Sequence, residues 1–242
     1  HFWNIFNNGI SKSTEFQGLM VTILFMILTG GLLIKDLDRP DRFLYVLLRP
    51  QWKSWLVRGA YIITAFGGIV GFKILDNIFN LNLHWLWYPG SLFSIFGATY
   101  TAFLFNQARA RDFWQTPIQS AFHMQIHAIM AGSVAMILIQ PGSTMVMSQI
   151  LFIGIVLNLL IIFKEINFHH DTTDTKKAVA LMTKGYYSKY FWIGILIGNL
   201  VPLCLLIFFT ESLLIFACLL VLIGIFLTEF VRIRIPQLIP LS

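Results

Sequence analysis

The chain has 242 residues, 57% of them hydrophobic and only 12% charged, with a formal net charge of +6. Its apolar stretches are continuous rather than alternating, which excludes a soluble domain and a transmembrane β-barrel and predicts an all-α polytopic membrane protein. Its two cysteines, Cys204 and Cys218, both sit in apolar runs, so this chain supplies neither a disulfide framework nor the four thiolates of an iron–sulfur cluster.

Residues 1–15 read as a short polar and aromatic surface segment. His1-Phe2-Trp3 lacks the basic-then-apolar pattern of a signal peptide, and the abrupt start leads us to expect a further N-terminal piece. An uncharged run from Phe16 to Ile34 predicts the first membrane-spanning helix, over 16–35. It leads into Lys35-Asp36-Leu37-Asp38-Arg39-Pro40-Asp41-Arg42-Phe43 and on to Arg58, a stretch with six Lys/Arg and three Asp. Charges cost several kcal/mol each in hydrocarbon, so this cluster belongs at a membrane surface, where Trp52 and Trp55 also fit. The second span is expected over 56–79, with Lys73 and Asp76 near its far end, followed by an aromatic interfacial stretch that contains His84. The third is expected over 90–108.

Between Asp112 and Lys164 lie fifty-one residues without Asp, Glu, Lys or Arg. That exceeds one crossing of about 20 residues, and Pro141-Gly142 divides it into spans over 118–140 and 144–163. A polar segment follows, with a surface helix over 176–184 that Gly185 ends. The last two spans are expected over 190–210 and 212–230, and the chain closes on a tail from Val231 to Ser242. These seven crossings fall into two bundle-like halves, 1–139 and 140–242.

Alternating crossings put fifteen of the seventeen basic residues on the side of the charged loop, leaving Lys12 and Lys73 on the other. The positive-inside rule then makes the charged-loop side and the C-terminus cytoplasmic.

Apart from Lys73, no ionised residue is expected in the middle of a helix, so candidates for chemistry are milder groups. Tyr100 lies about 12 Å from the basic end of its helix, and His123 and His127 about 8 and 14 Å from the same end of theirs, at 1.5 Å per residue. The histidines are spaced i, i+4 and share one face. Three readings stand for them: structural hydrogen bonding between helices, proton exchange with a quinone, or haem ligation. A metal pair would need further ligands, which their own helix does not offer. His169, His170, Asp171 and Asp174 read as solvated, and His84 as an interfacial anchor. Asn199 and Pro202 mark a break in the sixth span, either a packing kink or a transporter's substrate contact. The glycines at 67, 68 and 71 suit close helix packing. The chain carries no nucleotide, phosphate or nucleic-acid motif.

Residues 36–43 resemble the Asp-Leu-Gly-Arg-Pro signature of the polysulfide-reductase membrane-subunit family, the NrfD/PsrC-like proteins, with Asp38 in place of the usual glycine. The likeness continues in order through Ser54-Trp55, Arg58-Gly59-Ala60, Tyr100-Thr101-Ala102-Phe103-Leu104, Phe191-Trp192-Ile193-Gly194 with Gly198 and Pro202, and the ending Arg232 to Gln237 with Pro240-Leu241-Ser242. The resemblance implies eight or more helices, hence one before His1. It also implies a membrane anchor that exchanges electrons between a membrane quinone (menaquinone or ubiquinone) and a four-cluster, ferredoxin-like iron–sulfur subunit. A catalytic molybdopterin subunit would complete the respiratory oxidoreductase. No metal or haem of the chain's own is implied. By the same resemblance, Asp36, Arg39 and Pro40 line the quinone pocket and Tyr100 hydrogen-bonds in it; assigning His123 and His127 to quinone binding or proton relay rests on their depth alone. The setting is a bacterial or archaeal cytoplasmic membrane. A secondary transporter and a b-type cytochrome are the competing classes.

Overall fold

The computed structural model describes residues 11–35, 37, 39–108, 111–139, 144–167, 172–208 and 213–239. The expected surface segment before residue 11, Asp36, Asp38 and the stretch His169 to Asp171 lie outside the described residues. No strand occurs among the described residues. The helices are α1 (Lys12–Lys35), α2 (Phe43–Leu48), α3 (Trp55–Phe79), α4 (Trp87–Asn106), α5 (Pro117–Ile139), α6 (Thr144–Asn167), α7 (Thr173–Lys184), α8 (Ser188–Ile195), α9 (Val201–Phe208) and α10 (Leu214–Leu238). Short 3-10 turns cover Pro40–Arg42, His84–Leu86 and Asp112–Trp114, and a π-helical turn, Leu196–Leu200, joins α8 to α9.

Among the described residues, six helices are long and apolar enough to cross a membrane: α1, α3, α5, α6, the continuous α8–α9 segment and α10. The chain is therefore an all-α integral membrane protein. The expected seventh span, α4, forms with 20 residues, about 30 Å. It is not among the six, because Pro89, Ser91, Ser94, Thr99, Tyr100 and Thr101 dilute its apolar surface.

The chain divides into two compact units, residues 1–104 and 105–242. The fourth expected span, α5, thus groups with the later helices, whereas the sequence reading sets the division at 139/140.

In the first unit α1 packs along α3 through Leu19 and Val70, with Trp87 completing a small core. A buried Lys73 fixes the far end of this pair. Its ammonium lies 2.6 Å from Asp76 Oδ2, 3.1 Å from Glu15 Oε1 and 4.7 Å above the Trp87 ring. An ammonium with 1% of its side chain exposed must be paired, and Glu15 can reach it because α1 begins at Lys12, four residues before the expected start. Asp76 also accepts the Leu83 N–H at 2.9 Å, and Asn80 ends α3 in the left-handed region at φ 55°.

In the second unit α5 lies against α6, while α8, the π-turn and α9 lie against α10. Pro202 cannot donate to the carbonyl four residues back, and the helix meets this loss with the π-turn immediately before it. There Gly198 and Gly224 bring two backbones together: a Cβ on Gly198 would sit 2.1 Å from Gly224 Cα. α7 is the expected surface helix, capped by Thr172 and ended at Gly185, with Ala178, Val179 and Met182 buried.

α10 runs eight residues past the expected end at Phe230, with Pro236 inside it. Pro236 leaves the Arg232 carbonyl without its helical donor, and the Trp114 indole donates to that carbonyl at 3.4 Å. The predicted tail is therefore helix as far as Leu238, which sets Glu229 and Arg232 well inside α10. The expectation that Lys73 alone is an ionised residue in a helix interior is corrected here. The apolar run ends at Thr228, but the helix does not.

Candidate functional site

The first unit holds an apolar cavity of about 140 Å³ between α1, α2 and α3, at the charged loop. Leu33, Ile34 and Leu37 line one wall, Phe43 and Leu47 another, and Ala60, Ile63 and Tyr100 a third. Tyr100 is 4% exposed and its ring covers Gly59, where a Cβ would lie 2.3 Å from the ring carbons. Only a glycine allows α4 to bring this phenol so close to α3. Beside it Trp55 stacks on Phe103 at 4.5 Å and carries the Arg58 guanidinium at 4.7 Å. Thr64 also faces the cavity, but its hydroxyl donates to the Ala60 carbonyl at 2.7 Å.

Of the residues assigned to this pocket, Tyr100 lines it. Arg39 and Pro40 are exposed and stand between two lining residues, Leu37 and Phe43. Asp36 lies outside the described residues. His84, expected as an anchor, is exposed in its 3-10 turn.

His123 and His127 are in the second unit, where they are 1% and 5% exposed. Both Nε2 atoms point at one acceptor, Asn158 Oδ1 of α6, at 2.8 and 3.1 Å. The Asn158 amide donates to Asn199 Oδ1 at 2.8 Å, and Asn199 donates to the Gly194 carbonyl at 3.0 Å. On the other face Glu229 Oε1 lies 2.8 Å from His127 Nδ1 and 3.5 Å from His123 Nδ1. One turn further along α10, Arg232 is paired with Glu165 of α6, which is 7% exposed. A second cavity, about 20 Å³, is bounded by His123, Glu229, Arg232, Ser120 and Trp114.

This polar core answers two of the sequence readings. The Asn199 amide is bonded at both its oxygen and its nitrogen, so the break at Asn199–Pro202 serves packing. Both histidine Nε2 atoms bond one amide oxygen, the structural hydrogen bonding between helices that is one of the readings. One atom from each of His123, His127 and Glu229 lies within 4.8 Å of the others, so the missing acidic partner does come from another helix. The 2.8 Å contact to Glu229 has hydrogen-bond length. Two ligands of a tetrahedral zinc stand about 3.3 Å apart, and neither His127 Nδ1 nor Glu229 Oε1 has a hydrogen-bond partner.

Asn158, Glu229 and Glu165 are absent from the sequence reading, and Arg232 enters it only as part of the chain's ending. Asn158 carries a usable signal, since an amide inside a long apolar run must find a partner in the membrane. Glu229 and Arg232 carry a weaker one in their i, i+3 spacing.

Residues 4–240 match the family model described as polysulphide reductase, NrfD. Comparison with curated proteins and with solved structures finds no match.

Proposed function

We propose a quinone-reactive role from one premise, that this chain belongs to the NrfD family of polysulphide reductase proteins. The chain acts as the membrane subunit of a respiratory oxidoreductase, and electrons pass between a membrane quinone and an iron–sulfur subunit docked over the charged loop. A molybdopterin subunit completes the complex.

The apolar cavity beside the charged loop carries this reading. Its volume of about 140 Å³ is close to that of the engineered apolar cavity, about 150 Å³, that takes up benzene. A single quinone ring with its substituents open to the lipid has that size. Quinone reduction consumes two electrons and two protons, so the pocket needs a donor at a carbonyl and a route for protons. Tyr100 supplies a phenolic donor at the cavity wall, and Arg39 places a positive charge near its mouth that favours the reduced, anionic ring. Asp36 is assigned the proton relay to the surface. The chain's own residues thus bind, orient and protonate the ring, while the electrons come from the partner's clusters.

Binding of a quinone-analogue inhibitor to the intact complex tests the site. Ala60→Leu fills the cavity with three extra carbons and lowers affinity at least tenfold, while Thr64→Ser at the same wall leaves it unchanged. Undiminished binding in the Ala60→Leu complex would remove the cavity from consideration.

A further inference from the structure

We propose that His123, His127 and Glu229 form a binding site for a divalent transition-metal ion such as zinc, which would tie α5 to α10 inside the second unit. The site does not depend on the quinone assignment.

The donor atoms follow from one directed chain of hydrogen bonds. The Gly194 carbonyl can only accept, so the group facing it at 3.0 Å is the Asn199 NH₂. Asn199 Oδ1 then accepts from the Asn158 NH₂ at 2.8 Å. Asn158 Oδ1 is left to accept from both histidines, so each neutral ring carries its hydrogen on Nε2 and a lone pair on Nδ1. Both Nδ1 atoms lie near one carboxylate oxygen, Glu229 Oε1, at 2.8 Å for His127 and 3.5 Å for His123.

At the shorter of these contacts both atoms lack a partner. His127 Nδ1 and Glu229 Oε1 are buried and make no hydrogen bond, and His127 as a whole is only 5% exposed. A buried acceptor without a donor is costly, and one cation satisfies both. Two ligands of one ion face its centre rather than each other, so close approach without a hydrogen bond is the relation a metal site requires. The separations of 2.8 and 3.5 Å bracket the roughly 3.3 Å between ligands of a tetrahedral zinc. The Glu229 side chain, 23% exposed, has the freedom to even them out.

Two imidazole nitrogens and a carboxylate suit zinc and its neighbours, whereas calcium and magnesium take oxygen ligands. Three protein ligands leave a fourth position open. The cavity of about 20 Å³ bounded by His123 and Glu229 has room for one water there. Arg232 borders the same cavity, but Glu165 meets its charge. Asn158 then acts as the outer partner that holds both rings with Nδ1 towards the ion.

Zinc added to the wild-type full chain in lipid bilayers, with ¹⁵N in its histidine rings, tests the site by equilibrium dialysis and solid-state NMR. One zinc should bind per chain. The Nδ1 signals of His123 and His127 should move on binding, while both Nε2 atoms keep their hydrogens. Glu229→Gln keeps the side chain's shape and removes its charge. A direct ligand should count for no less than the roughly 10- to 100-fold in affinity lost with an outer partner, so this variant should bind at least about tenfold more weakly. A wild-type chain that takes up no zinc would overturn the proposal, whatever the variant does. So would zinc that binds without moving either Nδ1 signal, which would mark adventitious binding elsewhere, or affinity that Glu229→Gln leaves unchanged.

Discussion

Asn158 and Asn199 meet side chain to side chain at 2.8 Å, joining α6 to the π-turn in the interior of the second unit. Each amide has its remaining polar atom engaged, one by two histidines and the other by a carbonyl. The arrangement meets the general requirement that polar groups in hydrocarbon be fully satisfied. It also gives the π-turn a purpose: the local change of helical register brings Asn199 inward, where it is 1% exposed.

Replacing Asn199 by leucine should therefore cost more than one bond. The Asn158 amide would lose its acceptor while remaining buried, at about 1–3 kcal/mol. Thermal unfolding in detergent should show the loss. Asn199→Asp keeps the acceptor oxygen for Asn158 and should recover part of it.

Glycine substitutions separate contact from mere proximity. Gly198→Ala would place its methyl 2.1 Å from a backbone atom of Gly224, so the helices must part. Overpacking of this kind costs about 1–3 kcal/mol or more. Gly68→Ala meets nothing within 4 Å and should leave stability unchanged or raise it by up to about 1 kcal/mol through helix propensity. A melting temperature unmoved by Gly198→Ala would contradict the close approach.

The Arg232–Glu165 pair is almost wholly buried, at 11% and 7% side-chain exposure. Arg232→Met removes the guanidinium from a carboxylate that stays inside the protein, which costs about 3–5 kcal/mol. Changing both residues, Arg232→Met with Glu165→Leu, should recover most of that loss, because the desolvation cost disappears with the charges. Folded yield and thermal stability of the two variants give the comparison.

The membrane helices are legible because twenty apolar residues in a row have few other stable uses. The i, i+4 histidines are legible too, since a shared face follows from 3.6 residues per turn. What the histidines bind is not, because Asn158 and Glu229 come from helices whose packing no local pattern specifies. The end of α10 misleads for a related reason. Glu229, Arg232 and Pro236 each look like the end of a span, yet the two charges are met by His127 and Glu165 and the freed carbonyl by Trp114. Of Gly67, Gly68 and Gly71 only Gly67 meets a close neighbour, Met26 at 3.1 Å from a Cβ built there, while the glycine pair Gly198 with Gly224 stands out only in three dimensions.

Tyr100→Phe keeps the ring over Gly59 and removes only the hydroxyl. In the intact complex it should lower quinone-linked activity by roughly 5- to 150-fold, the range for one good hydrogen bond of about 1–3 kcal/mol. Assembly should be unaffected, since Tyr100 packs through its ring. The purified chain alone should bind quinone analogues without turning over soluble electron donors, since the proposed route for electrons runs through the iron–sulfur subunit; turnover by the chain alone would contradict the proposed role.

The last prediction is orientation. The loop from Lys35 to Arg58 carries six basic residues within a short connection, the setting in which the positive-inside rule is strongest. Arg232 leaves the basic count, because Glu165 neutralises it inside the protein, but the loop's own charges are untouched by that change. α4, at 20 residues, is about 30 Å long. The charged-loop side should be cytoplasmic and should be where the iron–sulfur subunit docks. A cysteine at Gln51, which is exposed in the loop, reports it. The background requires Cys204 and Cys218 replaced, since Cys204 is also exposed, and the partner subunits deleted so that docking cannot mask the site. An impermeant thiol reagent should label this cysteine in inverted vesicles and not in intact cells. Labelling of intact cells would place the loop outside and reverse the assignment of every connection in the chain.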